Sequence, residues 1–190
     1  MATQKLLDKF HIDINQVKKS SKWYNEQVAT MKRGNITPIK LLKQGGNQVS
    51  LTIKPGSLFM FEYDPKLKDT LPYYDTFPMV FPYKPAPGGF LGLNMHYLGY
   101  AERFALFQKL LDINGKTIDE NTKIKYSWAM VNSMAQLGTA KACIKHYLNE
   151  HVASPYLKIA PTDWATCMLM PVERFVGASK EHIWKESRHK

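Results

Sequence analysis

The sequence predicts an α+β fold: a small Pro- and aromatic-rich β unit packed against a group of helices, with a basic arm at each end. Three observations carry this. Short apolar runs with strand chemistry crowd into residues 57–98. Segments of helical spacing succeed one another after Tyr100. Positive charge collects at the two ends of the chain.

The β unit comes first because the rest is organised around it. Residues 58–63, 78–83 and 89–98 are the apolar runs, dense in Phe and Tyr, which suit a pleated, half-buried surface. Pro65, Pro72, Pro78, Pro82, Pro85 and Pro87 fix φ and remove backbone donors, so no long helix crosses the segment. The expected product is a strongly bent unit of short strands. Tyr63-Asp64-Pro65-Lys66 should turn the chain at one edge and Pro87-Gly88-Gly89 at the other.

Helices are expected on both sides. Ser20 or Ser21 caps a helix that reaches about Met31, stopped by Gly34-Asn35, and residues 44–48 form a polar linker. After the β unit, residues 100–112 carry Phe104, Phe107, Leu110 and Leu111 at helical spacing. Residues 121–136 place Ile124, Trp128, Val131 and Ala135 on one face, and residues 140–151 do so with Ala142, Cys143, Ile144, Tyr147 and Leu148. Residues 156–160 read as a strand, Pro161-Thr162-Asp163-Trp164 as a turn of helix, and residues 167–171 as a core strand. Ser179 should cap a last helix from Lys180 to about Ser187. The division is a basic arm and linker at 1–50, a core at 51–176 and a basic C-terminal helix at 177–190.

A chain of 190 residues is long enough to bury a core without staples. Two cysteines make no disulfide framework, so a reducing compartment is expected. No apolar run approaches a membrane span, and no membrane partner is expected. The net charge of +10 divides as +6 over residues 1–50, −1 over 51–120 and +5 over 121–190. Basic flanks on a neutral centre favour polyanions through counterion release. The polyanion-binding candidates are Lys18, Lys19, Lys22, Lys32 and Arg33 at one end and Lys180, Lys185 and Arg188 at the other. The interface candidates are Trp23, Tyr24, Ile183 and Trp184, apolar groups on elements too short to stand alone.

Catalytic patterns are weak. Asp64, Asp69 and Asp75, with Glu62, share one stretch and could converge on a metal ion, but Asp-Pro and Asp-Thr are also ordinary turn formers. Cys143, His146 and His151 have too irregular a spacing for a zinc site on a helix. His96, among tyrosines, suits a hydrogen-bonded structural group better than a general base, and no nucleophile elbow is present. No catalytic residue, metal site or cofactor is assigned.

The words FEYDPKLKDTLPYYDTFPMVFP, GGFLGLNMHYL and GASKEHIWKES resemble those of small virion-associated proteins of large contractile-tailed bacteriophages and their cyanophage relatives, over residues 23–187. The resemblance implies a virion protein synthesised in the host cytoplasm, with other phage virion proteins as partners in a hetero-oligomeric assembly. Adhesive ends around a stiff centre place a non-enzymatic tail or baseplate subunit first. A protein capping the end of the packaged double-stranded DNA comes second, and a metal-dependent nuclease a distant third.

Overall fold

The computed structural model describes residues 48–100, 102–103, 128–129, 131–132, 138–160, 164–169 and 172–188. Its centre is a six-stranded antiparallel sheet in the order β1-β7-β2-β4-β5-β6. The strands are β1 (Gln48–Ser50), β2 (Leu58–Met60), β4 (Met79–Ala86), β5 (Gly89–Asn94), β6 (Ile144–Leu148) and β7 (Tyr156–Ile159). A separate ribbon pairs β3 (Tyr74–Asp75) with β8 (Phe175–Val176). Two short helices follow, α1 (Trp164–Leu169) and α2 (Lys180–Arg188).

Strand alternation explains why the runs of the β unit are almost continuously apolar: both faces of the sheet are buried. Leu58, Met60, Met79, Phe81, Leu93, Leu157 and Ile159 point to one core, which Val131, Trp164, Cys167, Met168 and Ile183 complete. Phe59, Phe61, Tyr63, Val80, Phe90, Tyr147 and Tyr156 form a second, aromatic core on the opposite face. The register agrees, since Phe59 lies opposite Val80 and Met60 opposite Met79. A half-buried surface, the sequence expectation, is corrected to one buried on both faces at its centre and exposed at β1 and the outer half of the β4-β5 hairpin.

The sheet curls around the aromatic core. Past the end of β2 the chain swings over to β6, where Tyr63 bridges Val152 and its ring centroid lies 5.0 Å from that of Tyr147. Leu148 N–H also donates to the Tyr63 hydroxyl at 3.1 Å. Curvature enters at β4, where the register slips between Pro82 and Lys84, as a strand proline favours. The hairpin to β5 closes through Pro87 and Gly88, the latter at φ +70°, a Pro-Gly pattern suited to a type II turn. The other turn begins at Pro65: Lys68 N–H donates to Pro65 O at 3.2 Å and Leu71 N–H to Leu67 O at 3.0 Å.

Strand content agrees with the sequence at residues 58–60, 79–83, 89–94 and 156–159; β4 runs on through residues 84–86, and residues 95–97, read as the end of a strand, are a 3-10 turn. The group of helices is not supported as a whole. Residues 140–151 are not a helix. They form the end of a 3-10 segment (Gly138–Cys143), strand β6, and a second 3-10 turn (Asn149–His151). Five cross-strand pairs with β5 decide this against the helical spacing. Residues 167–169, expected as strand, belong to α1. Of the helices expected at 100–112 and 121–136, residues 100, 102–103, 128–129 and 131–132 are helical. The remainder of both lies outside the described residues, as does the helix expected from Ser20. Residues 48–50, at the end of the stretch read as arm and linker, are the edge strand β1.

Candidate nucleic-acid interface

The polar groups of this chain divide into a buried set that fixes the fold and an exposed set able to meet a ligand. Asp75, on β3, is buried and sits at the centre of the first. Its Oδ1 accepts from Phe77 N–H at 3.0 Å; its Oδ2 accepts from Asn94 Nδ2 at 3.1 Å and from His96 Nδ1 at 2.6 Å. Asn94 closes the network, donating to the Tyr147 hydroxyl at 3.0 Å and accepting from His96 N–H at 2.9 Å. Burial pushes the Asp75 carboxyl up, but the His96 charge and hydrogen bond, with the bonds from Phe77 and Asn94, outweigh it and hold it below its ordinary value. Burial raises the Tyr147 hydroxyl well above its usual range.

Arg103 forms a second buried centre beside it. Its guanidinium donates to Glu173 Oε1 at 2.6 Å, to His96 O at 3.2 Å and, through Nε, to Leu98 O at 2.9 Å. The Tyr100 and Trp184 rings lie 5.1 and 5.5 Å from its central carbon. Trp184 in turn donates its indole N–H to His96 O at 2.7 Å. The sequence placed none of this: Arg103 lies in a stretch read only for its apolar face, and His96 and Asp75 are 21 residues apart.

These contacts locate the C-terminal candidates. Ile183 is buried in the main core and Trp184 packs on Tyr100, so both dock within the chain itself. Full burial of one Ile stabilises by about 1.5–3 kcal/mol, which matters for a nine-residue helix that is marginal alone. Ser179 caps α2 as expected, accepting from His182 N–H at 3.3 Å. Tyr73 ties the helix to β3, donating to Glu186 Oε2 at 2.6 Å, and burial with this carboxylate pushes its hydroxyl up to about 12. Lys180 lies over the Trp184 and Tyr100 rings at 5.4 and 5.6 Å, and Lys185 is exposed. The Arg188 side chain lies outside the described residues, as do Trp23, Tyr24, Lys18, Lys19, Lys22, Lys32 and Arg33.

The carboxylates do not converge. Asp64 is exposed and ion-paired with Lys68 at 2.9 Å, while Asp75 is inside the protein. Cys143 is a buried thiol that burial pushes up to about 12. His146 Nε2 donates to Pro87 O at 3.0 Å and His151 Nδ1 to Asp64 O at 2.9 Å, so both imidazoles hold loops. His96 is buried and its Nε2 lacks a hydrogen-bond partner, which leaves the ring no polar path to solvent.

The exposed groups include a cation and an aromatic ring. Lys84, on the exposed half of the β4-β5 hairpin, makes no ion pair among the described residues. Beside it, Trp128 donates its indole N–H to Tyr83 O at 2.7 Å and remains 40% exposed. The sequence placed Trp128 on a buried helix face with Val131; Val131 is indeed buried, but Trp128 is only partly so.

A family model described as phage T4 terminal DNA protecting protein matches residues 4–187. No curated protein and no solved structure matches the chain.

Proposed function

The chain belongs to the phage T4 terminal DNA protecting protein family, and from that membership we propose that it binds the free ends of the phage's double-stranded DNA and shields them. It is a bacteriophage protein of a DNA-protecting family, not an enzyme. The reading placed first from sequence, a tail or baseplate subunit, gives way to the DNA-end reading placed second.

The observation that carries this is the family match over almost the whole chain, together with its net charge of +10. Protection of an end needs no chemistry from the protein. An exonuclease must seat the terminal nucleotide, so a bound protein that covers it blocks digestion by exclusion. Affinity comes from lysines and arginines that displace counterions from the phosphates, and it falls as salt rises. A rigid, fully packed sheet suits this task, because a preorganised surface loses little entropy on binding.

Protection can be measured directly. A linear duplex should be digested slowly by an exonuclease in the presence of the protein, whereas a restriction enzyme should cut its interior at the usual rate. At a free concentration a hundredfold above Kd only about 1% of ends are open, so digestion should slow by about a hundredfold. Unchanged exonuclease digestion would refute the proposal; equal slowing of internal cutting would replace it with general coating of DNA.

A further inference from the structure

We infer that the exposed indole of Trp128, beside Lys84 at the β4-β5 hairpin, stacks on the terminal base pair of duplex DNA. This rests on the end-binding reading and names the surface that distinguishes an end from the interior. A protein that reads only phosphates cannot make that distinction, because phosphates line the whole duplex. An end presents one thing the interior hides: the apolar π-face of its last base pair. Its partner must be a flat, exposed, firmly held aromatic ring with a cation beside it.

Trp128 meets these requirements. A Trp is a large apolar group that a core would normally cover, yet 40% of Trp128 is exposed. Its polar atom is already satisfied by Tyr83 O, so the bond fixes the ring without needing solvent. That carbonyl precedes Lys84, whose ammonium has no carboxylate partner among the described residues. The support is stiff. Lys84 lies opposite Leu91, and Leu91 opposite His146, in one cross-strand row. His146 then pins the hairpin turn through Pro87 O. The ring is tied to the Tyr83 carbonyl and Lys84 is the next residue along β4, so a stacking face and a phosphate-seeking lysine answer the two chemistries of a DNA end, its bare base pair and its last phosphates. The other large exposed apolar residues described are aliphatic: Val49, Leu51, Leu67, Leu71 and Val176.

The test uses the full-length protein and a duplex carrying 2-aminopurine at its terminal pair, with a covalently closed circle of the same sequence as competitor. Stacking on the indole should change the 2-aminopurine fluorescence. Trp128→Ala should remove that change and weaken end binding by about tenfold, leaving affinity for the circle as it was. Trp128→Phe keeps a ring but lacks the N–H donor, and should restore most of the signal. Lys84→Ala should weaken ends and circle together and flatten the salt dependence by about one phosphate contact. Thermal unfolding of each variant separates lost binding from lost fold. If Trp128→Ala retains the preference of the wild type for ends, or loses affinity for ends and circle equally, the stacking inference is wrong. A wild-type protein without end preference would overturn the parent reading and this one with it.

Discussion

Asp75→Ala should destabilise the protein by about 3–5 kcal/mol, as removal of one partner from a buried charged pair does. The carboxylate answers three buried donors at once: Phe77 N–H, the Asn94 amide and His96 Nδ1. Alanine leaves the Phe77 N–H and His96 Nδ1 without their acceptor and the Asn94 amide with only the Tyr147 hydroxyl, and each orphan costs about 1–3 kcal/mol. Against a total stability of about 5–15 kcal/mol, such a loss approaches the threshold of folding. Asp75→Asn should rescue little, because its amide sets a donor against the Asn94 and His96 donors. The sign of the pH dependence follows from the lowered carboxyl. The contribution of Asp75 is complete above its ordinary value of 3.8 and is lost as pH falls through the lower folded value. The stability gap between wild type and Asp75→Ala should thus hold constant from neutral pH down to about that value and narrow below it. Urea unfolding at several pH values measures this; a gap under about 1 kcal/mol at pH 7 would contradict the network's role.

Gly89→Ala should cost about 3 kcal/mol, the upper end for an overpacked site. A β-carbon there would lie 1.8 Å from the Tyr147 carbonyl oxygen and 3.0 Å from Leu148 Cα. Both are backbone atoms of β6, so relief requires the strand itself to move, and with it the Asn149 N–H bond to Gly88 O. Gly92→Ala makes the comparison. Its β-carbon would meet Val80 Cγ1 at 2.2 Å, a buried side-chain atom rather than backbone, and the cost should be nearer about 2 kcal/mol. Equal unfolding midpoints for the two variants would show that β6 does not grip the hairpin as described.

The same strand shows where the sequence was legible and where it was not. Strands β2, β4 and β5 could be read because their apolar runs are bounded by prolines and glycines with defined turn geometry. β6 could not. Cys143, Ile144, Tyr147 and Leu148 satisfy a helical repeat as well as they satisfy a strand, and over five residues periodicity does not decide. Pairing with β5 does, and that partner lies some fifty residues away. Within the run at 167–171, residues 167–169 failed in the same way, in the opposite direction. The cap at Ser179 was legible because capping is local. Asp75 and His96 were each noticed, but as unrelated groups, since only the folding of β3 onto the end of β5 joins them. Trp128 was placed on one face with Val131 by spacing alone, and spacing cannot report that its ring stays partly exposed.

The proposed function requires that this protein recognise DNA by its ends. The most direct measurement is the amount of protein bound at saturation to a short linear duplex, a long linear duplex and a covalently closed circle, at physiological salt. Binding set by the number of ends, equal for the two linear molecules and weak for the circle, is the predicted result. Binding that grows with duplex length and is as strong on the circle would contradict it.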